Sequence, residues 1–117
     1  TLLDSHLKKQ LFLERVCQVL KLQNVSLQCI RVESYRPTVL FDTIISRAFA
    51  SLEKMLSLTG HLLAPQGRFL AMKGKIDPDE LTNIGTDYTI ESVINLQLTD
   101  HQPEARHLIV IKRIKEE

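Results

Sequence analysis

Three polar residues stand where apolar runs stop, and their types set the chemistry open to this chain. Phe41-Asp-Thr-Ile-Ile-Ser46-Arg47 reads as a strand whose apolar members Phe41, Ile44 and Ile45 give way to a hydroxyl and a guanidinium. A guanidinium at the carboxyl end of a parallel strand lies where open α/β sheets bind ligands. Its planar fork can donate to guanine O6 or N7, to a phosphate or to a carboxylate. Asp4 follows Leu2-Leu3 in the same relation to a shorter run. An acid there can accept hydrogen bonds from a ribose diol, or it can support the following helix through the helix dipole; spacing leaves the two open. Lys73 closes the run 68–72 and is expected either to meet a phosphate as a point charge or to be a solvated strand end.

The elements that must position these residues follow from periodicity. Leu7, Leu11, Phe12, Val16, Val19 and Leu20 recur at helical spacing, with Lys8, Lys9, Glu14 and Arg15 on the other face. Ser5 is the expected N-cap and Asn24 the expected C-cap. Residues 25–32 read as a strand, 33–40 as a loop containing Pro37, 41–46 as the next strand and 48–59 as the next helix. Gly60, Pro65 and Gly67 punctuate the approach to a strand over 68–72. Asp77-Pro78 predicts a short helix with Asp77 as N-cap and Pro78 at its first position, ending by Gly85. Residues 88–98 alternate as a strand with a bulge near Ser92-Val93, 99–105 form a polar loop, and 106–111 make the last strand before a charged tail. Strand-helix alternation ending in two consecutive strands predicts an α/β fold with a Rossmann-like sheet that finishes in a hairpin.

At 117 residues the chain fits one domain at most. Its 44% hydrophobic and 25% charged content is that of a soluble globular protein. No apolar run approaches the roughly 20 residues that cross a bilayer, and the amino end shows no signal-peptide pattern, so no membrane association is expected. The net charge of +1 gives no global nucleic-acid footprint, and an RNA-binding surface must be local. Cys17 and Cys29 lack metal-ligand spacing and are expected to be buried thiols in a reducing cytosol. His6, His61 and His101 lack partner acids and are assigned to solvent, so no metal is expected.

Leu2-Leu3-Asp4-Ser5, Phe41 to Ala50 and Gly67-Arg-Phe-Leu-Ala-Met-Lys-Gly74 together resemble the bacterial 16S rRNA guanine-N7 methyltransferases, the glucose-inhibited division protein B family. The resemblance runs from Thr1 to about Lys112. It implies a class I S-adenosylmethionine-dependent methyltransferase sheet whose last strand is antiparallel to the rest. It also implies S-adenosyl-L-methionine as cofactor, 16S rRNA in the small ribosomal subunit as partner, a cytoplasmic location and a monomer when full length. Asp4 is then a cofactor-binding residue at the ribose, and Val32 and Glu33 flank the adenine; Ser34 stands where many relatives carry a second acid. Arg47 becomes the residue at the cofactor pocket and the catalytic candidate. Lys73 and Arg106 are candidates for contact with the RNA substrate.

The same resemblance exposes an omission. Such folds need a glycine-rich turn after their first strand, where backbone approaches the ligand, yet Gly60, Gly67, Gly74 and Gly85 form no G-x-G cluster. In the family that loop precedes the Leu3-Asp4 strand, and its strand lies between those of Leu2-Leu3 and Phe41-Ser46. Residues 1–117 are therefore expected to be the carboxyl-terminal portion of a single methyltransferase domain, a partial domain inactive alone. Two other functions compete from the residues themselves. A nucleotide-binding oxidoreductase also places an acid after a strand, but Ser46-Arg47 and the terminal hairpin oppose it. A non-enzymatic RNA-binding domain is opposed by near-neutral charge and by the scarcity of stacking aromatics.

Overall fold

The computed structural model describes residues 1–47, 51–96 and 106–114, arranged in two compact units, Thr1–Pro37 and Thr38–Glu117. The first unit is a strand-helix-strand crossover. Strands β1 (Leu2–Leu3) and β2 (Leu27–Gln28) pair in parallel, with helix α1 (Leu7–Val19) between them in sequence. β2 is much shorter than the run 25–32 suggested. With only two rungs available from β1, the chain leaves the sheet and closes a 3₁₀ turn over Val32–Ser34, held by Ser34 N–H to Arg31 C=O at 3.0 Å and Tyr35 N–H to Val32 C=O at 3.2 Å.

Both caps of α1 differ from those expected. His6, not Ser5, is the N-cap, and the Asp4 carboxylate accepts the His6 amide N–H at 2.8 Å. At the other end Lys21 takes the left-handed conformation, φ 55. The Leu22 and Lys21 amides then bond back to the carbonyls of Cys17 and Gln18, a Schellman closure three residues before Asn24. The helix buries Gln10 and only half-buries Leu13, Val16 and Cys17, because two short strands cover little area. The broader apolar face expected to be core is exposed at Leu7, Leu11, Phe12, Val19 and Leu20. Cys29 is exposed as well, contrary to expectation, with its thiol 3.8 Å from the Ser5 carbonyl oxygen.

The second unit is a four-stranded mixed sheet in the order β3-β4-β6-β5, formed by β3 (Phe41–Arg47), β4 (Leu63–Lys73), β5 (Tyr88–Asn95) and β6 (His107–Arg113). β3 and β4 are parallel; β6 is antiparallel to both β4 and β5. Helix α2 (Leu52–Thr59) follows β3, and a short α3 (Pro78–Thr82) follows β4. α2 opens on Ser51, whose hydroxyl accepts the Lys54 N–H. It buries Leu52, Met55, Leu56 and Thr59, the i, i+3, i+4, i+7 face, with Phe69, Ala71, Ile109 and Ile111 of the sheet in the core. α3 is capped by Asp77 with Pro78 in its first turn, as the sequence requires.

β4 begins five residues before the expected position. Between the pairs Phe41–Leu63 and Thr43–Arg68 the single residue Asp42 opposes residues 64–67, so Pro65 and Gly67 sit inside an irregular stretch of strand. A side chain at Gly67 would lie 2.6 Å from Leu63 Cδ1 and 2.9 Å from the Asp42 carbonyl oxygen, so glycine is required there by close approach. The β5 irregularity falls between Ile90 and Ser92, close to its expected place. The displaced Glu91 ion-pairs with Arg68. β6 continues past Ile111, because Arg113 turns inward. Its guanidinium donates to the carbonyls of Leu63, at 2.7 Å, and Gly60, and lies 6.0 Å from the centre of the Tyr88 ring. The expected start of the second helix at Ala48, the end of the 88–98 strand, the loop 99–105 and His101 lie outside the described residues. No helix among the described residues is long and apolar enough to cross a membrane.

Candidate functional site

Ligands of open α/β sheets gather at the carboxyl ends of the parallel strands, and each unit presents such an edge. In the first unit Asp4 directly follows β1. Its backbone N–H donates to the Gln28 carbonyl at 3.2 Å, continuing the ladder by one rung. One carboxylate oxygen, Oδ1, accepts the His6 amide; the other, Oδ2, is 4.0 Å from Lys9 Nζ, and the side chain keeps 28% of its surface in solvent. An ionised carboxylate has about four acceptor directions, so lone pairs remain for two hydroxyl donors. Asp4 thus has a helix-supporting bond and spare capacity for a diol at once; the two alternatives drawn from spacing are compatible.

Beneath Asp4 lies a residue that sequence reasoning missed. Gln10 is the buried polar residue of α1, and its Nε2 donates to the carbonyls of Asp4 at 3.3 Å and Gln28 at 2.9 Å. One amide group therefore ties the ends of both strands and holds the backbone from which the Asp4 side chain departs. Its signal was a glutamine within an apolar helix stripe, legible only once the stripe is known to centre on Gln10.

After β2, Val32 and Glu33 sit in the 3₁₀ turn. Val32 is half-buried, and Glu33 is exposed with its carboxylate 3.9 Å from Arg31 Nη1. Arg36 Nη1 donates to the carbonyls of Glu33 at 2.8 Å and Tyr35 at 3.1 Å, which closes the turn from the far side. A carboxylate with remaining acceptors therefore follows the first parallel strand of this unit, and a half-buried valine and an exposed acid follow the second.

In the second unit Arg47 is the last residue of β3, one position further into the sheet than expected. It is exposed, and no side-chain hydrogen bond or ion pair joins its guanidinium to the described residues. Ser46 points to the other face, where its hydroxyl lies 3.0 Å from Met55 Sδ. The register pairs Arg47 with Met72 and Lys73 with His107, so the ends of β3 and β4 and the start of β6 share one edge. Arg106 precedes β6 on that edge, exposed, with its carbonyl accepting the Leu96 N–H at 2.8 Å.

Lys73 departs from the solvated or phosphate-bound cation expected of it. Its ammonium is ion-paired with Glu80, and the two side chains are only 14% and 18% exposed. His107 Nδ1 lies 2.7 Å from the Gly74 carbonyl oxygen and restrains the chain as it leaves β4. The structure thus gathers Arg47, Lys73 and Arg106 on one edge but commits Lys73 inward. No group of His, Cys, Asp and Glu among the described residues could hold a metal.

A parallel pair followed by an antiparallel strand inserted before the last parallel one defines the class I methyltransferase sheet. Solved methyltransferases carry the same fold. The N-methyltransferase NodS from Bradyrhizobium japonicum WM9 superposes with a TM-score of 0.68 at 14% identity, covering 97% of this chain and 72% of that protein. An rRNA methylase from Streptococcus thermophilus gives 0.67 at 14% identity, with the same coverages. A coclaurine N-methyltransferase bound to N-methylheliamine and SAH gives 0.61 at 11% identity over 80% of this chain and 38% of that one.

Within that class, residues 1–109 match GidB, rRNA small subunit methyltransferase G, and the chain belongs to this family. The proteins named ribosomal RNA small subunit methyltransferase G from Escherichia coli O1:K1 and Shigella boydii serotype 18 are each 46% identical to it over 115 residues, 98% of this chain. The chain spans 55% of the length of these relatives.

Proposed function

We propose that this chain is part of an S-adenosylmethionine-dependent methyltransferase that methylates N7 of a guanine in 16S rRNA, and that both units belong to one methyltransferase domain. Membership of the rRNA small subunit methyltransferase G family carries the proposal. The exposed guanidinium of Arg47 at the ligand-bearing end of β3 supports it. The partner is the small ribosomal subunit; the protein acts in the cytoplasm as a monomer.

S-adenosylmethionine supplies an electrophilic methyl group on a sulfonium. Guanine N7 carries an in-plane lone pair and no proton, so its methylation requires no general base from the chain. What the chain must supply is alignment, and alignment alone can contribute several kcal/mol. Asp4 would accept from the ribose hydroxyls, and Val32 and Glu33 would flank the adenine. Arg47 donates to the guanine edge, an RNA phosphate or the methionine carboxylate, holding its target by a planar fork. Arg106 adds positive charge at the RNA-facing edge, with a smaller part for Lys73, which Glu80 already neutralises. The test is incorporation of labelled methyl from S-adenosylmethionine into small subunits lacking the modification, followed by nucleoside analysis. Label recovered as 7-methylguanosine is expected; label on another base or on protein refutes the assignment.

A further inference from the structure

The carboxylate that neutralises Lys73 does a second thing. Glu80 Oε1 also accepts the backbone N–H of Leu52 at 2.9 Å. Leu52 opens α2, and its amide is one of the helix's unpaired first-turn donors. The Ser51 hydroxyl serves Lys54 instead, so Glu80 supplies a cap that the local sequence does not. One oxygen on α3 thereby joins the last residue of β4 to the first residue of α2. The carboxylate also suits the positive end of the helix dipole. Its own base is firm: Asp77 Oδ1 accepts the Asp79 N–H at 3.0 Å and Pro78 pre-sets the turn.

This junction lies behind the edge carrying the proposed catalytic arginine. Arg47 pairs in register with Met72, the neighbour of Lys73, and the chain runs from Arg47 to Leu52 across four intervening residues. Binding Leu52 and Lys73 to one carboxylate fixes the start of α2, which follows β3 in the chain, and the end of the strand that pairs with Arg47. We propose that Glu80 is a positioning residue for methyl transfer, acting through the Leu52 amide and the Lys73 ammonium on the edge that bears Arg47. It rests on the methyltransferase function proposed above and adds a residue to it.

The experiment compares Glu80→Ala and Glu80→Gln in the intact natural protein, with Arg113→Met as a destabilised control at the opposite end of the sheet. Gln keeps an acceptor for the Leu52 N–H; Ala removes it. In methyl transfer at a temperature well below the melt, Glu80→Ala is expected to lose about 10-fold or more in kcat. Its KM for S-adenosylmethionine stays within about twofold, since Asp4 and Glu33 stand elsewhere, and Glu80→Gln recovers most of the rate. Arg113→Met lowers the melt without lowering kcat per folded molecule. Amide exchange at Leu52 should rise about 10-fold in Glu80→Ala alone. A Glu80→Ala protein with wild-type kcat, or with a loss matched by Arg113→Met, overturns the positioning role. If the wild-type protein transfers no methyl group, the methyltransferase function falls, and unchanged Leu52 exchange in Glu80→Ala then overturns the junction independently.

Discussion

Replacing Arg47 by alanine should separate chemistry from stability more cleanly than any other change in this chain. The side chain is exposed at the end of β3 and bonded to none of the described residues. Its removal therefore opens no cavity and strands no partner among the described residues, and surface changes of that kind stay within about 0.5 kcal/mol. Loss of the fork that aligns guanine or cofactor is a different matter, because small misplacements in an aligned transfer cost about 100-fold. At 1.36 kcal/mol per tenfold that is about 2.7 kcal/mol of barrier. Arg47→Lys keeps the charge but not the planar geometry and should recover less than about a tenth of the rate. The assay pairs labelled-methyl incorporation into small subunits with thermal melts of the same preparations. Transfer near the wild-type rate in Arg47→Ala would show an ordinary surface arginine. A melt lowered by many degrees would show that the side chain carries structure instead.

Asp4→Asn keeps an oxygen for the His6 amide but removes the charge offered to a diol; a bond to a charged acceptor is worth about 1.5–3 kcal/mol, so cofactor affinity measured by calorimetry should fall roughly 10- to 100-fold with helical content unchanged. Equal affinity would leave Asp4 as helix support only. Gln10→Leu preserves volume yet leaves the Asp4 and Gln28 carbonyls without their shared donor, and should cost about 1–2 kcal/mol in denaturant unfolding; no loss would mean that water replaces the amide. Arg113→Met strips charged donors from the carbonyls of buried Gly60 and Leu63 and should cost about 2–4 kcal/mol, seen as a lower urea midpoint at constant slope. A change below about 0.5 kcal/mol would place that guanidinium among ordinary surface groups.

Local pattern was enough for the order of elements in this protein. The i, i+3, i+4 repeat of Leu52, Met55 and Leu56, the Asp77-Pro78 start of α3 and the apolar-to-polar change at Ser46-Arg47 are written in adjacent residues, and each is decided by short-range sterics and burial. The places of Asp4 and Arg47 at strand ends were legible for the same reason: a strand end is a local event. The inward turn of Lys73 was not, because its partner lies across a loop and its direction depends on which sheet face α2 and α3 cover. Nor were the buried amide of Gln10 and the carbonyl-binding guanidinium of Arg113, whose environments are made by elements 18 to 53 positions away. The extra length of β4 depended on register against β3, and the shortness of β2 on how few rungs β1 offers. Sequence alone determined which residues carry charge at the ends of strands; only tertiary structure decided which charges stay available, because burial and pairing are properties of neighbours brought together by the fold.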